Sequence, residues 1–273
     1  DIRDITPLLD GVKKCDVVVH LASIVGESAA NLDPNETVQV NFMATRNLAE
    51  LCRMYGKKIF FTSTASVYGK EHDHEMREDE IISPETPVEL YGKTKVMCEN
   101  VIRKNVDSYC ILRLATLFGL SPRPRFDLVV NLFIGKAVEN EKITVFGGNQ
   151  WRPFLHVSDA AEALKIAVEN DWGGIMNIAW QNWKIGDIAK HIAEKLNADI
   201  VYDDKIVDKR NYSVSTDMMK MFGFIPSRTI DDAIREIDDA YEKGEIIDYR
   251  DKRYHNHRAT VYDDEAKRKV YTE

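Results

Sequence analysis

Tyr91-Gly92-Lys93-Thr94-Lys95 sets a phenol and an ammonium four positions apart, which on a helix places both on one face. Of the eleven tyrosines in the chain, only Tyr91 has a lysine at that spacing. A free phenol ionises near pH ~10 and is a poor base at neutrality unless a positive charge stabilises the phenolate. Lys95 can supply that charge. A shift of about three pKa units needs ~4 kcal/mol of differential stabilisation, attainable for a partly buried cation and not on an open surface. The chemistry implied is proton transfer to or from a hydroxyl. Thr62-Ser63-Thr64-Ala65-Ser66-Val67-Tyr68-Gly69 offers further hydroxyls that can meet Tyr91, provided the fold brings the two segments together.

The elements that must do so follow from hydrophobic period. Asp16 to Ala22 and Lys58 to Ser63 are short apolar runs, as expected of strands covered on both faces. Between them, Val38, Phe42, Leu48, Leu51 and Cys52 recur at helical spacing over Asn35 to Tyr55, giving a strand, helix, strand unit. The pattern repeats with a helix over Tyr91 to Lys104, a strand over Tyr109 to Ala115 and a helix over Phe126 to Glu139. Strands are expected at Lys142 to Phe146, Phe154 to Val157, Met176 to Ala179 and Asp199 to Tyr202. Helices are expected at Asp159 to Glu169, Ile185 to Leu196 and Ile230 to Lys243. Such alternation implies an α/β fold with a doubly wound parallel sheet, whose ligands sit beyond the carboxyl ends of the strands. The Thr62 to Gly69 segment lies at such an end.

The 273 residues are 44% hydrophobic and 30% charged, which suits one large α/β domain with a smaller lobe. A net charge of -8 argues against nucleic acid as a partner. Cys15, Cys52, Cys98 and Cys110 form no CxxC pair and read as reduced thiols. No apolar run reaches the roughly 20 residues of a membrane span, so a cytoplasmic protein is expected. His72-x-His74 and His255-x-His257 lie in charged loops with no third ligand nearby, and no metal site is expected. The stretch from Asp251 to Glu273 is poor in aliphatics and reads as an arm or a frayed tail.

With these features in place, the chain resembles the extended short-chain dehydrogenases/reductases. That group includes UDP-galactose 4-epimerase and many nucleotide-sugar epimerases, decarboxylases, dehydratases and reductases. The resemblance runs from Asp1 to about Lys243. It implies a Rossmann-type sheet formed by 1–117 and 154–183, and a smaller C-terminal substrate-binding lobe formed by 118–153 and 184–250. It implies NAD as cofactor, with NADP the other option, and a nucleotide-diphosphate sugar as substrate. Homodimerisation through the helices at 35–55 and 91–104 is implied by resemblance alone.

Carried over residue by residue, Tyr91 is the catalytic acid or base, Lys95 holds the nicotinamide ribose and Thr64 shares the substrate hydroxyl proton. Ser63 is the neighbouring alternative, and the Tyr68-Gly69 pair sets the register in favour of Thr64. The cofactor set implied is Asp1 and Ile2 at the adenine end, Leu21, Ala22 and Ser23 along the first strand end, and Asn41, Thr62, Ser63 and Leu114. A simple core role for Leu21 and Ala22, and a helix role for Asn41 and Thr45, are the competing readings. The block from Gly147 to Asp159 resembles the family's RDFxHVxD segment, whose arginine binds the diphosphate, here Arg152. Lys209-Arg210 resembles a second diphosphate site, so Arg210 joins it; two guanidiniums can clamp one pyrophosphate through forked, charge-assisted bonds. His156 and Asp159 read as a strand-to-helix cap.

Thr116 stands where 4-epimerases of the family carry a substrate-binding Asn. The remaining substrate candidates are Ser66, Arg125, Asp127, Leu128, Val145 and Phe146. A helix start competes for Arg125 to Leu128, and core packing competes for Val145 and Phe146. Ala65-Ser66 replaces the Asp-Glu pair of the family's dehydratases, which disfavours water elimination. Epimerisation at C4 is therefore expected, with a nucleotide-sugar 4-dehydrogenase or 4-keto reductase as the alternative and a non-catalytic dinucleotide sensor as a third. The glycine-rich turn that lets backbone approach a pyrophosphate is not in these residues, so a preceding segment of roughly 60 residues, the size of two βα units, is expected.

Overall fold

The structure is a computed structural model and describes residues 1–69, 74–87, 89–203 and 210–257. It opens with α1 (Ile5–Lys14), which Asp4 caps by accepting from Thr6 N at 3.2 Å and which Lys13 and Lys14 close at its negative end. This helix is not among those that the hydrophobic pattern announces. Then come β1 (Val17–His20), the short α2 (Glu27–Ala30) and α3 (Pro34–Thr37), a π-turn over Val38–Met43, and α4 (Ala44–Met54). The expected helix over 35–55 is thus present but widened in the middle. The wide turn leaves the Asn41 carbonyl to accept from Thr45 Oγ1 at 2.5 Å and from Cys98 Sγ at 3.1 Å.

Next are β2 (Lys58–Thr64), a 3₁₀ turn at Ala65–Tyr68, α5 (Leu90–Asn105), β3 (Tyr109–Leu114), β4 (Thr116–Phe118), α6 (Val129–Val138), β5 (Ile143–Phe146), β6 (Trp151–His156) and α7 (Val157–Glu169). The chain continues through β7 (Gly174–Ile178), β8 (Gln181–Lys184), α8 (Ile185–Leu196), β9 (Ile200–Asp203), α9 (Asp217–Met221) and α10 (Ile230–Glu242). β1, β2, β3 and β7 form one parallel sheet in that order, with His20 beside Phe61 and Thr64 beside Leu114. Ile59, Phe60 and Phe61 of β2 are fully buried, so the continuous apolar run reports helices on both faces.

β4, β6 and β8 form a second sheet, with β6 and β8 antiparallel, and β5 pairs with β9. β8 was not foreseen, since QNWK carries a single large apolar side chain. Phe133, Ile188, Ile192, Ile234 and Ile237 join the helices α6, α8 and α10 in one core. α6 begins at Val129 rather than Phe126, and Phe126 N donates to the Tyr254 carbonyl at 3.0 Å. Of the arm and frayed-tail alternatives, residues 251–257 dock as an arm would, and 258–273 lie outside the described residues. Lys252–Tyr254 forms a 3₁₀ turn and Tyr254 packs edge-on to Phe126, their ring centroids 5.5 Å apart. His72 lies outside the described residues, as does Lys209.

Candidate active site

β2 and α5 bring the two sequence clusters together. Thr64 ends β2 in extended backbone and its hydroxyl accepts from Ser66 N at 3.1 Å, which starts the 3₁₀ turn. Tyr91 is the second residue of α5, and the Thr64 hydroxyl lies on the side of its phenol, near enough to favour the phenolate. One turn on, Lys95 is buried; its ammonium donates to the Thr62 carbonyl at 2.9 Å and lies 5.8 Å from the centre of the Tyr91 ring. The expected convergence of phenol, hydroxyl and ammonium is therefore present at the carboxyl end of β2.

Burial dominates the electrostatics. It pushes the Tyr91 phenol above its ordinary range, and the Arg125 guanidinium leads the opposing influences, ahead of the Thr64 hydroxyl. Burial also lowers the Lys95 ammonium from 10.5 to about 8. His20, at the end of β1, is pushed down to about 3 by burial and then by Lys95. Its Nε2 lies 2.8 Å from Thr45 Oγ1, which gives its own proton to the Asn41 carbonyl. Nε2–H is therefore the donor, and the imidazole stays neutral.

Ser63, the rival hydroxyl, faces the other way. Its Oγ donates to Glu99 at 2.5 Å, and Glu99 forms a buried ion pair with Arg113, Nη2 to Oε2 2.7 Å. Arg113 Nη1 donates in turn to the Tyr68 hydroxyl, which donates to Asn177 Oδ1. The alternation of the strand sends residue 63 into this network and residue 64 toward Tyr91.

The arginines read as diphosphate ligands contact Tyr212 and Glu89, residues that flank the site. Arg152 is buried, with its guanidinium carbon 5.1 Å from the centre of the Tyr212 ring, and Tyr212 hydrogen-bonds to Ser66 Oγ at 3.2 Å. Arg210 Nη1 sits 3.2 Å from Glu89, the residue before α5. Arg125 is held by Asp127 through two bonds of 2.9 Å. Leu114 and Thr116 are half-buried across the β3–β4 junction, and Leu128 is the residue before α6. Leu21 and Ala22 are exposed past β1, and the Ser23 hydroxyl bonds to the Ile24 carbonyl.

Other candidates are engaged elsewhere. Val145 is completely buried in the second core while Phe146 is 43% exposed, because strand alternation turns one inward and the next outward. The expectation that Val145 flanks a base is corrected accordingly. Asn41 is buried, and its amide grips both backbone groups of Ile24 at 2.7 and 3.0 Å, so it serves the loop after β1. Asp1 chelates Arg3, and Ile2 is half-buried. His156 caps α7 through Ser158 N, and Asp159 accepts from Ser227 N and Arg228 N, as structural roles require. Among the described residues no group of three or more His, Cys, Asp or Glu could hold a metal, and no helix is long and apolar enough to cross a membrane.

A family model described as the NAD dependent epimerase/dehydratase family matches residues 1–179. The chain belongs to that family. It is 34% identical over 168 residues to a protein of Bacillus subtilis named uncharacterized UDP-glucose epimerase YtcB, a match covering 59% of this chain and 50% of that protein. The chain thus spans about half the length of that curated relative. Among solved structures it is similar to MoeE5 in complex with UDP-glucose and NAD, at 26% identity and TM-score 0.76, covering 90% of this chain and 85% of that one. It is also similar to UDP-glucuronic acid 4-epimerase from Bacillus cereus in complex with UDP-glucuronic acid and NAD, at 27% identity and TM-score 0.75, covering 89% and 80%.

The residues of this family member fit the nicotinamide end of the dinucleotide. An ammonium carries three donors and the Thr62 bond uses one, so the donor set suits a ribose diol beside Tyr91. Leu21 and Ala22 give an apolar shelf at the next strand end. Sequence reasoning missed Glu27 and Tyr212. Glu27 reads as an ordinary helix-start acid, and Tyr212 lies in irregular chain with no periodicity to mark it.

Proposed function

We propose that this protein interconverts nucleotide-diphosphate sugars epimeric at C4, through a transient 4-keto sugar. The observation that carries the proposal is the meeting of Tyr91, Thr64 and Lys95 at the carboxyl end of β2. Bound NAD supplies one function, accepting a hydride from C4 and returning it to either face. The chain's own groups handle the proton. Thr64 and Tyr91 bracket the C4 hydroxyl, and Tyr91 takes its proton as the ketone forms and gives it back on reduction. Burial alone makes that phenol too weak an acid, so the flanking cations matter: Arg125 opposes the burial, and Lys95 would hold the nicotinamide ribose with the donors that Thr62 leaves over. Arg152 and Arg210 hold the pyrophosphate, which leaves the sugar to reach Tyr91.

Arg125 favours a narrower second reading. A guanidinium beside the catalytic phenol suits a sugar carrying a carboxylate, as in the UDP-glucuronic acid of the Bacillus cereus structure. The proposal includes a homodimer through the faces of 35–55 and 91–104, where Met54 and Tyr55 are exposed.

The experiment is turnover of a panel of UDP-, GDP-, CDP- and dTDP-sugars with NAD, by the wild type and by Tyr91→Phe. Epimer formation without net NADH, lost in Tyr91→Phe while ligands still bind, supports the proposal. Stoichiometric NADH points to a 4-dehydrogenase instead. Ligand binding with no turnover in either protein points to a sensor.

A further inference from the structure

The first turn of α5 carries amides with no partner inside the helix. Glu89, the residue before it, makes no side-chain cap, and its carboxylate faces Arg210 instead. The acceptors come from a distant part of the chain. Glu27 Oε1 accepts from Leu90 N at 3.1 Å and Glu27 Oε2 accepts from Tyr91 N at 3.2 Å. One carboxylate thus engages the first two residues of the catalytic helix, with its negative charge at the helix's positive end.

Glu27 is itself closely held. Asn31 Nδ2 donates to its Oε1 at 2.7 Å. The preceding loop is pinned residue by residue. Asn41 grips Ile24, and Val25 O accepts from Asn256 Nδ2 at 2.9 Å. Gly26 has φ +92°, and a side chain there would come within 3.2 Å of Arg125 Nη2. The loop after β1 therefore joins the C-terminal segment, Arg125 and the start of α5.

We propose that Glu27 is a positioning residue: it fixes the first turn of α5, and through it aims the Tyr91 phenol at Thr64 and Arg125. This rests on the catalytic reading of Tyr91 and deepens it. Glu27 acts on backbone amides rather than on substrate, so its loss should slow chemistry and leave ligand affinity nearly untouched. A misplacement of ~1 Å at a reacting group costs about 100-fold.

The test uses the full-length protein with saturating NAD and a sugar nucleotide that it turns over, comparing wild type, Glu27→Gln, Glu27→Ala and Tyr91→Phe. Glu27→Gln is isosteric and keeps one acceptor oxygen; kcat should fall about 5-fold, against about 30-fold in Glu27→Ala, with KM and NAD affinity within about 2-fold of wild type. Thermal unfolding is read alongside. Full kcat in Glu27→Gln overturns the proposal, as does a rate loss that only tracks lost folded protein or lost ligand affinity. If Tyr91→Phe is inactive while both Glu27 variants run at full rate, the positioning role fails and the catalytic reading stands. If Tyr91→Phe keeps full turnover, both fail.

Discussion

Ser63 and Thr64 are neighbours on β2 whose hydroxyls serve opposite sides of the strand: Ser63 Oγ donates to buried Glu99 at 2.5 Å, and the Thr64 hydroxyl accepts from Ser66 N at 3.1 Å on the side of the Tyr91 phenol. Two adjacent hydroxyls with different duties should separate cleanly on mutation. Thr64→Ala is expected to lower kcat by about 100-fold, within the range of a proton-relay group, while the lost cap on Ser66 N costs only about 1 kcal/mol of stability. Ser63→Ala should keep most of the turnover and cost about 1.5–3 kcal/mol of stability, from the lost bond to a charged partner. Steady-state kinetics paired with thermal melts check both.

The network that Ser63 enters makes a stability prediction. Glu99 and Arg113 are both nearly inaccessible to water, at 3% and 2% side-chain exposure. Arg113→Met leaves a carboxylate buried without its cation, so a loss of about 3–5 kcal/mol is expected. Chemical denaturation measures it. A loss below about 1 kcal/mol would show that the pair does not anchor β3 to α5.

Lys95 sets the alkaline behaviour. Its folded-state pKa is about 8 against an ordinary 10.5, so the ammonium is present below pH 8 and lost above it. The alkaline limb of kcat/KM, which reports the free enzyme, should bend near pH 8. Stability moves the other way. Between pH 8 and 10.5 the unfolded chain binds more protons at this group than the folded one, so its contribution to stability rises with pH. In Lys95→Met both features should vanish.

Arg125 should separate acidic from neutral sugars. If its guanidinium meets a sugar carboxylate, Arg125→Leu lowers kcat/KM for UDP-glucuronic acid by about 100-fold and for UDP-glucose by under 10-fold. Equal losses on both would confine Arg125 to tuning Tyr91.

Much of this site was legible in sequence because its parts are local. The Tyr91–Lys95 spacing needs only a helix, and the apolar run of β2 announces both a buried strand and where it ends. The choice of Thr64 over Ser63 rested on the Tyr68-Gly69 register, and strand alternation gives the same answer in space. What could not be read depended on contacts distant in sequence. Glu27 looks like any acid at a helix start until α5 lies beside it. Tyr254 sits in a charged, aliphatic-poor stretch, yet docks because Phe126 offers an aromatic surface some 130 positions earlier. Val145 and Phe146 are chemically similar neighbours, and only the pairing of β5 with β9 shows which one faces out. The leading cation opposing burial at Tyr91 is Arg125, from the chain between β4 and α6, rather than the lysine one turn away.

The most direct measurement follows a UDP-sugar deuterated at C4 through one epimerisation in ordinary water with full-length protein and NAD. A hydride removed, retained in the site and returned requires the C4 epimer to keep its deuterium, with a primary isotope effect on single-turnover rate. Loss of the label to solvent, or epimerisation with no isotope effect and at equal rate in Tyr91→Phe, would contradict oxidation at C4 by the Tyr91, Thr64 and Lys95 site.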